Sequence, residues 1–226
     1  MSDDAVKRRL RDLDAQLADT LERQGIDAVI DVGANRGQYA RRLRSAGWHG
    51  PILSIEPISE LHTELRKLAA GDAAWEIAPP MAIGGWDGEV VLELSAESDM
   101  SSTLEQSELL REISPSSAVT RRIRVPQRRL DGPELLAARP WRRIFVKADV
   151  QGAEPAVLAG LECVWPRVQG LQLELALLPL YRGERPWLET VAALAARGFA
   201  PYLVRPGYYA RRLGRQVQLD MVFYRD

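Results

Sequence analysis

Apolar residues return along the chain with two distinct periods, and the alternation between them predicts the architecture. Val6, Leu10, Leu13, Leu17 and Leu21 recur at helical spacing and line one face of a helix that Gly25 ends, predicting an N-terminal helix over residues 1–25. The run Ala28–Val32 then stops at Gly33, and residues 39–45 resume helical character, which reads as strand, glycine turn, helix. A second unit repeats the plan. Ile52–Ile55 is a short buried strand ending at Glu56-Pro57, and Ser59 is placed to cap a helix running to Ala70 before Gly71.

Residues 84–130 break this rhythm and read as a β insertion with a loop. Candidate strands lie at 75–83, 89–94 and 122–127, with an Asp87-Gly88 hairpin signal joining the first two, and the Ser- and Glu-rich stretch 95–117 reads as a mobile loop. The parallel rhythm returns with a strand at 144–149, a helix over 153–163 and a strand at 171–175. A helix near 186–196 and strands at 200–204 and 218–224 follow. Strands alternating with helices imply one α/β domain over residues 1–226, with a mostly parallel sheet covered on both faces.

Composition narrows the function. Acidic and basic residues number 31 and 30, so no overall positive field exists to attract a phosphate backbone, and nucleic acid is not expected as a partner. The basic clusters at 41–44, 121–124 and 211–212 read as solvated faces. The single Cys163 excludes an intrachain disulfide or a multi-cysteine metal centre, and no apolar leader or membrane-length segment is visible, so a cytoplasmic protein is expected. The abundance of Arg over Lys, of which only Lys7, Lys67 and Lys147 occur, suggests a GC-rich bacterial genome.

In an open parallel sheet, ligands bind beyond the carboxyl ends of the strands where the strand order reverses. The first strand ends in Asp31-Val32-Gly33-Ala34-Asn35-Arg36-Gly37, where glycines allow close backbone approach and the following helix offers free N–H groups. Glu56 ends the second strand about twenty residues on, the spacing at which an acidic side chain accepts from ribose hydroxyls, so the pair points to an adenosine ligand. The turn lacks the G-x-G-x-x-G that cradles a pyrophosphate, which argues against a nicotinamide cofactor. Ala78-Pro79-Pro80-Met81 lacks the amide and aromatic of an Asn-Pro-Pro-Tyr segment, which argues against base N-methylation.

Several segments together resemble the FkbM family of methyltransferases. They are Val29–Tyr39, Ile55-Glu56-Pro57, Ala82-Ile83-Gly84-Gly85 with Asp87–Val90, Ser101–Leu104 and, most distinctively, Val146–Gly160. In this last segment the family commonly has Glu where this chain has Gln151. The resemblance implies a class I Rossmann-like fold with a seven-stranded sheet, S-adenosylmethionine as cofactor, and O-methylation of a small metabolite or sugar. It implies cofactor contacts at Asp31, Gly33, Ala34, Asn35, Gln38, Tyr39, Glu56, Pro57, Ala82, Ile83, Ser102 and Asp149, and it leaves room for a homodimer. A cofactor-binding module without turnover is the alternative, motivated by Gln151.

Methyl transfer to a hydroxyl also needs somewhere for a proton to go. His49 and His62 fall away from the strand ends, so the catalytic candidates are Lys147, Asp149 and Glu174. The two carboxylates are expected to project into the cleft, to share a proton or to bind a divalent cation, and no metal ligand set is assigned. Lys147 is expected to orient the acceptor, to stabilise an alkoxide, or to pair with Glu154 or Asp149. Ser101 and Ser102 are candidate acceptor contacts from the loop, and Trp86, Tyr181, Trp187, Tyr208 and Tyr209 are candidate walls.

Overall fold

The computed structural model describes residues 3–225, with side chains from residue 11 onward. Seven strands form the central sheet: β1 (Ala28–Val32), β2 (Ile52–Ile55), β3 (Trp75–Ile77), β7 (Ile144–Ala148), β8 (Val168–Ala176), β9 (Phe199–Pro206) and β12 (Gln218–Arg225). Their spatial order is β3-β2-β1-β7-β8-β12-β9, with every neighbouring pair parallel except those made by β12, which runs antiparallel between β8 and β9. The chain builds outward from β1 to β3 and then jumps back across β1 to β7. That reversal opens a crevice at the carboxyl ends of β1 and β7.

The sequence forms these strands because they are buried on both faces: all five residues of β1 and of β7 are inaccessible. Ile30, Val32, Val146, Ala148 and Leu173 face one layer with Val157 of α5 (Glu154–Ala159) and Leu194 of α6 (Trp187–Ala195). Val29, Phe145 and Tyr224 face the other, against Leu17 and Leu21 of α1 (Asp3–Arg23), Leu43 of α2 (Gln38–Ser45) and Leu65 of α3 (Ser59–Ala69). A buried ion pair, Asp14 to Arg205 at 2.5 Å, ties α1 to β9. The expected apolar face of α1 is thus present at Leu17 and Leu21; the side chains of Val6 and Leu10 lie outside the described residues.

Four expectations are corrected. The strand expected over 75–83 is two strands in different sheets, because Pro79-Pro80 has no N–H to continue a ladder; β3 stays central and β4 (Ala82–Ile83) joins the insertion. The Asp87-Gly88 hairpin does not pair its flanks. Instead β4 and β5 (Gly88–Ser95) lie on opposite sides of β6 (Val119–Arg128), and the Asp87 carboxylate accepts from the Arg129 backbone N–H. The stretch 95–117 is built rather than loose: it contains α4 (Glu108–Ile113), capped by Ser107, and buries Ser102, Gln106 and Ser117. The helix expected over 153–163 ends at Ala159, since the chain packs so closely at Gly160 that a Cβ there would lie 2.5 Å from the Gly84 carbonyl oxygen.

A small ribbon of β10 (Tyr209–Ala210) and β11 (Arg215–Gln216) precedes β12. Among the described residues no helix is long and apolar enough to cross a membrane.

Candidate active site

The tips of β1, β2 and β7 are stitched together before any side chain is considered. Gly33 and Ala34 N–H groups both donate to the Ile55 carbonyl, and the Asp149 N–H donates to the Val32 carbonyl. Gly33 has φ of 76°, and a Cβ on it would sit 2.0 Å from the Asp149 carbonyl oxygen, so only glycine allows β1 and β7 to end side by side. Two non-glycine residues also take left-handed conformations here, Asn35 at φ 48° and Gln151 at φ 57°. Such backbone persists where surrounding contacts over-determine it, and it clusters at working sites.

One cleft runs along these tips in two halves that share Gln38, Asp99, Asp149 and Gln151. The first half holds a carboxylate above an apolar slot. Glu56, only 4% exposed, receives the Asn35 N–H on Oε2 at 2.8 Å and the Ile58 N–H on Oε1 at 2.9 Å. Ile58, Met81, Ala82, Ile83 and Leu92 line the slot beside it. Burial pushes the Glu56 carboxyl up to about 7, although its two backbone N–H donors pull the other way. Each carboxylate oxygen keeps a free lone pair, so the group can accept from two ribose hydroxyls while the slot takes an adenine ring. These residues therefore fit S-adenosylmethionine. Ser59, expected to cap α3, is instead its first residue; Ile58 holds the N-cap position without a side-chain cap, and its N–H donates to Glu56.

Beneath the floor lies a polar row crossing four strands. In the sheet register Asp31 stands beside Ser54 on one side and Lys147 on the other, and Lys147 stands beside Gln172. Asp31 is fully buried; its Oδ1 lies 3.1 Å from Lys147 Nζ, and its Oδ2 accepts from Ser54 Oγ at 3.2 Å. Lys147 Nζ also donates to the Gly33 carbonyl at 3.0 Å and reaches Asp149 Oδ2 at 3.7 Å. Burial alone lowers the lysine's pKa, but Asp31 and Asp149 outweigh it and hold the group above its ordinary value, so it stays charged. The expected pairing of Lys147 with Glu154 is not made: Glu154 turns back to accept the Val150 N–H. Asp31 likewise is no wall of the cleft. It is the fully buried counter-ion of Lys147, its register partner on the next strand.

The second half is lined by Tyr39, Arg42, Lys147, Asp149, Glu174, Tyr208, Gln218 and Asp220, among others. Ala34 and Tyr39 belong here and not in the slot; the Tyr39 hydroxyl donates to Gln172 Oε1 at 3.2 Å. Glu174 is raised well above the usual carboxylate range, first by burial and then by the charge of Asp149. The two carboxylates converge as expected, but on Gln151, which the sequence offered only as a missing carboxylate. Gln151 Nε2 donates to Asp149 Oδ1 at 3.0 Å and to Glu174 Oε2 at 2.7 Å, and Gln218 Nε2 donates to the same Glu174 oxygen at 2.8 Å. Among the described residues no cluster of three His, Cys, Asp or Glu side chains is arranged to hold a metal ion.

The stretch 95–107 closes over both halves. Ser98 Oγ hydrogen-bonds the Asn35 side chain, and Ser102 Oγ donates to the Gln151 carbonyl at 2.7 Å. The Tyr181 hydroxyl lies 3.0 Å from both Gln151 Oε1 and the Met100 carbonyl. Ser101 and Ser102 are thus at the cleft as expected, while Trp86 and Tyr209 are exposed and Tyr208 alone of the other aromatic candidates lines the second half. His62 binds the Ala78 carbonyl away from the cleft. Ser98 and Gln218 escaped sequence reasoning, since each acts through a partner distant in sequence, Asn35 and Glu174; Met81 escaped it as a site residue because only the fold brings it to the slot.

The model of the FkbM methyltransferase domain matches residues 31–201. No curated protein matches the chain in sequence. Among solved structures, a Listeria monocytogenes protein assigned as an S-adenosylmethionine-dependent methyltransferase is 10% identical, with 88% of this chain and 91% of that one covered at a TM-score of 0.49. The 1,6-didemethyltoxoflavin-N1-methyltransferase of Burkholderia thailandensis, solved with S-adenosylhomocysteine, is 13% identical over 99% of this chain and 82% of its own, at 0.46. An rRNA methylase from Streptococcus thermophilus is 13% identical over 95% and 93%, at 0.45. Likenesses this distant carry no argument about chemistry, which rests on the domain match and the cleft. By that match over most of its length, the chain belongs to the FkbM family of S-adenosylmethionine-dependent methyltransferases.

Proposed function

We propose that the chain transfers a methyl group to a hydroxyl of a small metabolite or sugar bound in the second half of the cleft. The observation that carries this reading is Asp149, which lines both halves and so faces the place where methyl donor and acceptor meet. The bound cofactor supplies an electrophilic methyl on a sulfonium. An acceptor hydroxyl held in the second half would take that methyl, and Asp149 would take the hydroxyl proton. The products are a methyl ether, S-adenosylhomocysteine and a proton. Holding oxygen and methyl in line at about 3–3.5 Å supplies most of the acceleration, and a placed base adds roughly 10²–10⁴-fold.

Lys147 is engaged with Asp31 at 3.1 Å and sets its ammonium 3.7 Å from Asp149 Oδ2. Glu174, raised toward its protonated form, is a neighbour to which the proton can be shared. Glu97, Asp99 and Asp220 add further acidic lining, which favours neutral or cationic hydroxyl compounds over anionic ones and disfavours a nucleic-acid partner.

The experiment is methyl transfer from labelled cofactor to a panel of hydroxylated metabolites and sugars, with Asp149→Asn beside the wild type. Turnover should fall by at least about a hundredfold in the variant while S-adenosylhomocysteine binding changes little. Methylation confined to amines or nucleobases, or full activity of Asp149→Asn, would refute the reading.

A further inference from the structure

Two carboxylates that face a common space repel each other unless something positive or protic stands between them, and a divalent cation is one solution. Here the space is filled by an amide. Both contacts from Gln151 Nε2, to Asp149 and to Glu174, are within hydrogen-bond distance, and its Oε1 is met by the Tyr181 hydroxyl. The orientation is fixed by chemistry: a flipped amide would set Oε1 against two carboxylate oxygens. Gln151 is 5% exposed, and its backbone carbonyl accepts from Ser102 Oγ.

We propose that Gln151 is a positioning residue whose carboxamide stands where a cation would otherwise bridge Asp149 and Glu174, making methyl transfer by this chain independent of a divalent metal. The inference rests on the reading of Asp149 and Glu174 as the acceptor-facing pair. A carboxylate at 151 would complete a trio, Asp149, residue 151 and Glu174, of hard oxygen donors of the kind that bind Mg²⁺ or Mn²⁺. The amide removes one charge and supplies two N–H donors in its place. Gln218, donating to the same Glu174 oxygen from β12, adds a further amide proton to this carboxylate.

The test is Mn²⁺ alone, titrated near neutral pH into the full chain and into Gln151→Glu while the electron paramagnetic resonance of the free ion is followed. S-adenosylhomocysteine binding is measured on the same samples. Wild type should leave the ion free; Gln151→Glu should gain one site at least about tenfold tighter, lost again when Asp149→Asn is added. Should Gln151→Glu lose its fold, Gln151→Ala, which vacates the space between the carboxylates, should also gain Mn²⁺ affinity. With an acceptor in hand, wild-type turnover should be indifferent to chelators, and turnover of Gln151→Glu should become sensitive to them. Wild-type Mn²⁺ binding that Asp149→Asn abolishes would overturn the proposal, as would folded variants that bind the ion no better than wild type. A wild type that fails to bind S-adenosylhomocysteine would overturn the function on which the proposal rests, whereas one that binds it and also binds Mn²⁺ through Asp149 would overturn this proposal alone.

Discussion

Asp31 and Lys147 are register partners on adjacent parallel strands, and their side chains meet at 3.1 Å in a place where Asp31 is fully buried and Lys147 nearly so. Attraction in such a setting offsets two desolvation penalties only while both partners are present. Asp31→Asn should therefore cost about 3–5 kcal/mol of stability in urea unfolding. The double variant Asp31→Asn with Lys147→Met should recover a large part of that loss. Additive losses in the two single variants and the double variant would show that the ions do not act as a pair.

Glu56 links cofactor binding to pH. With its carboxyl raised to about 7, the free protein holds a proton there at mildly acid pH, and ribose hydroxyls need the ionised form as acceptor. Binding thus releases a proton, and affinity for S-adenosylhomocysteine should rise as pH climbs through 7 and level off above it. Calorimetry across that range checks the slope. Glu56→Ala should weaken binding at least about tenfold and abolish the dependence.

Glu154 bears on stability. Burial raises it from 4.5 to about 8, so between those values the folded chain keeps a proton that the unfolded chain has released. The sign is opposite to that of a salt-bridged carboxylate: this contribution is fullest below 4.5 and is lost as pH rises toward 8. Glu154→Gln keeps an oxygen for the Val150 N–H and should flatten the fall in melting temperature over that interval. A variant whose melting curve tracks the wild type at every pH would dismiss Glu154 as its source.

Tyr181 pins the covering stretch through Met100 and Gln151. Tyr181→Phe removes one hydroxyl with little change in volume, at a cost of about 1 kcal/mol. Amide exchange should quicken across residues 98–106 while the central strands stay protected. Equal protection in the two proteins would mean that Ser98 and Ser102 hold the cover without help.

What could be read in advance follows the range of the interactions. Glu56, Pro57, Ala82, Ile83 and Asn35 were legible because strand, turn and helix are written locally, and their order alone places them at the crevice. Asp31 was legible as a site residue but not as a buried counter-ion, since its role depends on the lateral neighbour Lys147, which lies 116 positions away and is chosen by the sheet order. Gln151 looked like a loss because a missing charge is visible in sequence while the Tyr181, Glu174 and Asp149 contacts that employ an amide are not. The insertion was misread for a related reason. Asp87-Gly88 is a hairpin signal in isolation, and β6, arriving thirty residues later, takes the place between β4 and β5.

The placement of β12 also orders events during synthesis. β9 leaves the ribosome first, yet its only partner in the sheet is β12, so it has no ladder to join until the following strand slides in beside β8. That same late strand brings Gln218 and Asp220 to the wall. The wall of the second half therefore waits for the last strand of the sheet, whereas the residues that line the first half have all been synthesised by Ala153.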